Sequence, residues 1–217
     1  MACDWDAIID LLGYAGALKR LPRGGWVQIG VAAPESVADH SYRVALLTLL
    51  LASGDARLDL TRALILALVH DLPEAIAGDR TPFDEALAAG VGDRDRDALI
   101  QGPPAFSPAA ARAKQAAEAA ALRRITAGLP EPLAALIGDA WQEYEADATP
   151  EARLVHQADK LEALLQGFEY RELEARPGLP LASFEAGTRA ALREPAPRAL
   201  LAAMLARFGG ADTTGPG

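Results

Sequence analysis

The segment Ala63-Leu64-Ile65-Leu66-Ala67-Leu68-Val69 carries no charge, and it runs directly into His70 and Asp71, then Leu72-Pro73-Glu74. A stretch this apolar belongs in a protein interior. The three ionisable groups at its end cannot simply follow it there, since burying even a neutral polar group without a partner costs about 2–7 kcal/mol. They must be paired or bound to a cation. The expectation is that His70 and Asp71 bind a divalent metal and that His40 and Asp159 complete the site. Taken singly, an inward His reads as a core residue, and Asp159 as an ion-pair partner of Arg153 or Lys160. The chain has three histidines in all, and it is the conjunction of two inward His, a His-Asp doublet and a later inward Asp that points to a metal.

Periodicity puts the rest of the chain into helices. Ile8, Leu11, Leu12, Ala15 and Leu18 share one face of a helix from Asp4 to Arg20, capped by Asp4 or Asp6. Pro22, Gly24, Gly25, Gly30 and Pro34 mark a loop from Leu21 to Pro34 that holds Arg23 and Trp26. Glu35 to Ser53 forms a second helix, whose stripe of Val37, His40, Val44, Leu47 and Leu51 turns His40 inward. The apolar helix spans Leu58 to Glu74, with Asp59 or Thr61 as its N-cap. Gly78 to Pro82 is a loop, and Gly90 to Phe106 reads as a surface excursion.

Ser107-Pro108 opens a helix to about Ala127, and another runs from Pro130 to Asp147. Thr149-Pro150-Glu151 launches a long helix to about Glu174, with Asp159 and Glu162 on its inward stripe. Ser183 caps a short helix, and Pro195 to Phe208 gives the last. Strand alternation, hairpin turns and internal repeats are all missing. The fold class is therefore all-α: one compact multi-helix domain over residues 1–208, with the metal site between its central helices and a disordered tail at 209–217.

Composition narrows the partners. The net charge is −9, the sequence pI is near 4.9, and no basic run stands out, which argues against a nucleic-acid polymer. A small anion held by a metal and one or two arginines is compatible with that charge. The lone Cys3 excludes an internal disulfide and points to a reducing cytoplasm. The N-terminus lacks a basic signal region, and apolar runs such as Val44–Ala52 fall far short of the roughly 20 residues that span a bilayer. A soluble protein with no membrane partner is expected.

The proposed ligands have a recognisable chemistry. Two imidazoles and two carboxylates suit Co, Mn, Fe, Ni or Zn better than Mg or Ca, which prefer all-oxygen shells. Glu74, four residues after His70 and three after Asp71, falls on their side of the helix, where it would serve as general acid/base or orient a water. Arg23 is a candidate phosphate clamp, because a guanidinium fork matches phosphate oxygens. Trp26 offers a flat face for a sugar or base.

Five segments carry a resemblance: Arg23-Gly24-Gly25-Trp26-Val27, Pro34-Glu35-Ser36-Val37-Ala38-Asp39-His40-Ser41, His70-Asp71-Leu72-Pro73-Glu74 on to Gly78-Asp79-Arg80-Thr81-Pro82, Trp141-Gln142-Glu143-Tyr144-Glu145, and Gln157-Ala158-Asp159-Lys160-Leu161-Glu162. In that order they resemble the HD superfamily of metal-dependent phosphohydrolases, and within it the HD-domain 5′-deoxynucleotidases. The resemblance implies a helical homodimer that removes phosphate from deoxynucleoside 5′-monophosphates. It implies metal ligands at His40, His70, Asp71 and Asp159, catalytic acids at Glu74 and Asp79, and substrate contacts at Arg23 and Trp26. Water on the metal would attack phosphorus, with Glu74 orienting or deprotonating it and Asp79 assisting departure of the 5′-oxygen. Trp26 near C2′ would disfavour a ribose hydroxyl. Two departures stand out: Arg23 lies three residues before Trp26, where some members have the pair adjacent, and His156 replaces a common Lys.

The alternative reading is an HD phosphohydrolase acting on a signalling or modified biosynthetic nucleotide. A di-iron oxygenase on the same scaffold needs further His ligands, and only His156 remains. A structural metal staple would be a closed site, whereas a catalytic one keeps positions open for water.

Overall fold

The computed structural model describes residues 4–84, 105–173 and 176–209. Asp4 opens α1 (Trp5–Leu18) by accepting the backbone N–H groups of Asp6 and Ala7. The stretch expected to be loop contains a short helix, α2 (Gly24–Gln28). Its ends are tied together: Pro22 bridges to Ser36, the Arg23 N–H donates to the Glu35 carbonyl at 3.0 Å, and the Val37 N–H to that of Leu21 at 2.9 Å. With its base closed and Trp26 buried beneath it, the segment can coil into one turn despite its glycines.

α3 (Val37–Ala52) starts with a capping box in which Ser36 and Asp39 satisfy each other's backbone donors. α4 (Leu60–Val69) is capped by Asp59 and ends at His70, four residues earlier than the apolar pattern suggests. Pro73 explains the stop, since it has no N–H to donate and disfavours helical backbone at Leu72. The chain turns instead, with the Leu72 N–H reaching Val69 at 3.1 Å and the Glu74 N–H reaching Asp71 at 3.0 Å. α5 (Glu74–Ala77) follows and closes on Gly78, whose φ of 77° is a conformation glycine adopts without a Cβ clash.

α6 (Pro108–Thr126) has Ser107 as its cap, and α7 (Glu131–Ala146) leads to α8 (Pro150–Leu173). α9 (Ala182–Ala191) begins at Leu181, so Ser183 lies inside its first turn and does not cap it. α10 (Pro195–Phe208) completes the chain. Residues 90–104 of the expected surface excursion, and the expected tail beyond Gly209, lie outside the described residues.

α8 is the axis of the fold: it packs on α3, α4, α7, α9 and α10, while α3 and α4 also pack on each other. Val44, Leu66, Ala67, Val155 and Ala158 meet where α3, α4 and α8 converge, all fully buried. Each large aliphatic side chain removed from water there contributes about 1.5–3 kcal/mol. Trp26, Leu161, Leu164 and Phe168 build a second cluster against α10, and Leu18, Leu122, Ile125 and Trp141 a third near α1. Among the described residues there is no strand, and no helix is long and apolar enough to cross a membrane. The convergence of α3, α4 and α8 brings His40, His70 and Asp159 to one point.

Candidate metal centre and substrate pocket

His40 sits one turn into α3 and is fully buried. Its Nδ1 bonds to a carboxylate oxygen of Glu162 on α8, and Arg43 Nε lies 3.2 Å from the other oxygen of that carboxylate. His70, at the end of α4, donates from Nδ1 to the Ala67 carbonyl at 2.8 Å. Both rings are thereby fixed with Nε2 turned to the same space, the ring centroids 5.6 Å apart. Neither Nε2 makes a well-directed hydrogen bond, although both are buried and a carboxylate oxygen lies 3.2 Å from each. Buried nitrogens facing carboxylate oxygens cost free energy unless a cation, proton or metal, lies between them.

Asp159 brings an oxygen within 3.2 Å of His40 Nε2, while its other oxygen accepts from Lys160 at 2.9 Å. The ion pair with Lys160 and the approach to His40 therefore coexist on one carboxylate. Ligand atoms of His40, His70 and Asp159 all lie within 4.8 Å of one another, a spread that one metal ion could bridge. Asp71 stands outside that mutual set but beside it: its Oδ2 is 3.2 Å from His70 Nε2 and 3.7 Å from His40 Nε2. The residues fit a divalent transition ion, offering two neutral-imidazole nitrogens and two anionic oxygens. Glu162 and the Ala67 carbonyl supply the outer contacts that would hold the two imidazoles in a metal-binding tautomer.

Electrostatics agrees with a cation site. Burial alone would raise the pKa of Asp71, yet His70, Arg23 and His40 outweigh it and hold the carboxyl below its ordinary range. Asp159 behaves likewise, with Lys160, His40 and Arg23 overcoming burial. Burial and Arg23 lower the pKa of His40, but the carboxylates of Asp159 and Glu162 outweigh them and push it up to about 9. Anionic oxygens around Nε2 attract a cation there, whether a proton or a metal.

Arg23 caps the start of α2 and reaches into the same space. Its Nη1 lies 3.1 Å from Asp71 Oδ2 and 3.5 Å from Asp79 Oδ2, and its Nη2 is 3.8 Å from Asp159. Asp79 also accepts the Gly24 N–H at 2.8 Å, so it anchors the loop that carries Arg23. Glu74 is buried, and its Oε2 has no hydrogen-bond partner. The turn through Pro73, rather than a continued helix, sets its position. Burial first, then Asp71 and Asp79, push its pKa well up, against the pull of Arg23 and Lys114.

These groups border a cavity of about 630 Å³, which Lys114 and Glu118 of α6 and Phe184 of α9 also line. Trp26 lines it as well, but is only 1% exposed. Its indole N–H donates to Glu35 at 2.9 Å, Tyr170 meets it edge-on, and Phe184 lies flat against it. His156 is half-buried, stacks on Tyr144 and bonds through Nε2 to the Tyr144 carbonyl at 2.8 Å, at the pocket wall.

Sequence reasoning thus names the residues that gather here and misses several neighbours. Glu162 was visible as an acidic residue on an inward stripe, three positions after Asp159. Lys114, Glu118 and Phe184 gave no such signal, because they arrive from α6 and α9 by tertiary packing alone.

An all-α shell around paired imidazoles and carboxylates, opening on a pocket with an arginine and a buried glutamate, defines a metal-dependent phosphohydrolase. The HD-domain family model matches residues 15–199, and the chain belongs to that family. The 5′-deoxynucleotidase HDDC2 of Danio rerio is 36% identical over 173 residues, covering 80% of this chain and 74% of its own. A crystal structure from Pyrococcus horikoshii OT3 superposes with a TM-score of 0.64 at 31% identity, spanning 94% of this chain and 99% of its own. A predicted metal-dependent phosphohydrolase of Magnetospirillum magnetotacticum MS-1 gives 0.58 at 25% identity, over 94% and 96%.

Proposed function

We propose that this enzyme hydrolyses the 5′-phosphate of deoxynucleoside monophosphates, giving nucleoside and inorganic phosphate, with one divalent transition ion held by His40, His70, Asp71 and Asp159. The observation that carries the reading is the gathering of two buried imidazole Nε2 atoms and an Asp159 oxygen within 4.8 Å of one another, beside a pocket lined by His70, Asp159, Arg23 and Glu74. The 5′-deoxynucleotidase relative supports the choice of substrate class.

A bound ion would lower the pKa of a water molecule and offset charge developing on a phosphoryl oxygen. Arg23 presents two Nη atoms to the other phosphate oxygens, exchanging its carboxylate contacts for theirs. Glu74 Oε2, buried and partnerless, takes the proton of the attacking water. As the bond from water to phosphorus forms and the bond from phosphorus to the 5′-oxygen breaks, that oxygen needs a proton. Glu74, having taken the water's proton, is the group placed to return it. Asp79 flanks the reacting end and keeps Arg23 in place through its grip on Gly24.

The same reading takes the enzyme to be a cytoplasmic homodimer acting on small nucleotides rather than on a nucleic-acid polymer. Tyr42, Leu46, Leu49 and Leu50 form an exposed apolar stripe along α3 at helical spacing, which supports a second copy as its cover. The test is phosphate release from a panel of deoxynucleoside and ribonucleoside monophosphates, dinucleotides and cyclic nucleotides. Release is expected from the deoxynucleoside monophosphates above all. Turnover confined to dinucleotides or cyclic nucleotides would replace this reading with the signalling-nucleotide one.

A further inference from the structure

Trp26, at 1% exposure, has no free face to offer a substrate, but the ring lying on it does. Phe184 stacks parallel to the indole, at a centroid separation of 4.3 Å and an interplanar angle of 6°. It is half-buried and borders the pocket, so part of the ring that Trp26 does not cover is left to the cavity. Gly25 leaves the ring edge its room; a Cβ there would come within 3.2 Å of Phe184 Cζ. The ring is therefore held against α2, the helix that also positions Arg23.

Two further features mark this wall as a place for a ligand. Ser183, the preceding residue, lines the same pocket, and its hydroxyl is buried without a hydrogen-bond partner. Such a group costs free energy until a partner arrives, and a sugar hydroxyl or a base amide is a suitable one. Beyond Phe184 the wall is built of Gly187, Ala190 and Ala191, whose small side chains leave room beside the ring. An aromatic face, an unfilled hydroxyl and an open apolar margin suit the flat, polar-edged body of a nucleobase.

We propose that Phe184 is the stacking platform for the nucleobase, and that the first half of α9, with Ser183, forms the nucleoside subsite. This rests on the nucleotide reading above and adds the half of the substrate remote from phosphorus. The phosphate is gripped by Arg23 at the start of α2, and the base lies on the ring that packs over Trp26 within the same helix. α2 thereby sets the distance between the two ends of the substrate.

The test compares two ligands by calorimetry on the manganese-loaded protein, with Glu74→Gln introduced to suppress turnover. One ligand is a deoxynucleoside 5′-monophosphate; the other is 2-deoxyribose 5-phosphate, which lacks the base. The nucleotide is expected to bind about tenfold more tightly, the scale of base stacking on an aromatic side chain. Phe184→Ala should abolish that advantage while leaving the sugar phosphate's affinity little changed. Phe184→Leu, which keeps apolar bulk in the same place, should abolish it too.

Equal affinities in the parent protein overturn the subsite and leave the phosphatase reading standing. A Leu or Ala variant that keeps the advantage overturns it as well. So does a variant that weakens both ligands equally, since the ring would then only brace α2. Failure of both ligands to bind the parent removes the nucleotide reading, and the subsite with it.

Discussion

His40 is useful to a metal only because of what holds its far side. Glu162 accepts the Nδ1–H hydrogen bond, which leaves the Nε2 lone pair for a cation held beside Asp159. Glu162→Ala should therefore weaken metal binding about 10–100-fold, read by competition against a chromogenic chelator. Unchanged affinity would mean that packing alone orients the ring. Glu74 has a different duty: its partnerless Oε2 faces the pocket without belonging to the cluster of mutually close ligand atoms. Glu74→Gln should keep the metal, measured by elemental analysis, while kcat falls about 10²–10⁴-fold, the usual worth of a positioned acid or base. Loss of the metal along with activity would instead make Glu74 a ligand.

At this scale the sequence was informative for a physical reason. His40, His70, Asp71 and Asp159 contradict the apolar stripes they sit on, and such contradictions are visible in one dimension. Glu162 carried the same mark but could be assigned a partner only once α3 and α8 were seen together. Phe184 carried none, because an aromatic in a short amphipathic helix is what any core would use.

Among the elements, the early end of α4 and the unexpected helix α2 both lie at the site. α4 stops at Val69 because Pro73 cannot continue it, and the resulting turn aims Asp71 and Glu74 into the pocket. Counting apolar residues extends the helix through Glu74, since Leu72 suits either conformation. α2 was hidden by its own glycines, which mark a loop wherever tertiary contacts do not decide otherwise. Gly24 shows what those contacts are: a Cβ there would lie 2.7 Å from the Asp79 carbonyl oxygen and 2.9 Å from Thr81 Cγ2. The first neighbour is backbone and cannot swing away. Gly24→Ala should destabilise the fold by about 1–3 kcal/mol in denaturant melts and displace Arg23. A variant as stable as the parent would show that the α2 loop floats free of the Asp79 loop.

For the whole molecule, the helices do two jobs at once. α3, α4 and α8 supply the ligand cluster beside a fully buried apolar core, so the ion would sit against packed helices. α2, α6 and α9 form the rim, where the fit to a substrate is decided. The all-α class was legible throughout because helical periodicity is local; the assembly of that rim was not, since it joins residues from Arg23 to Ala191. The outer surface carries its own prediction: with the apolar stripe on α3 covered by a second copy, light scattering should give twice the 22.8 kDa chain mass. A mass of one chain at micromolar concentration would leave that stripe without its proposed cover.

Phosphate release from a deoxynucleoside 5′-monophosphate, followed as manganese or cobalt is titrated into chelator-stripped protein, reaches the centre of the account most directly. Release should be absent at the start and reach its plateau at one ion per chain. Full release by the stripped protein, still in excess chelator, would contradict it.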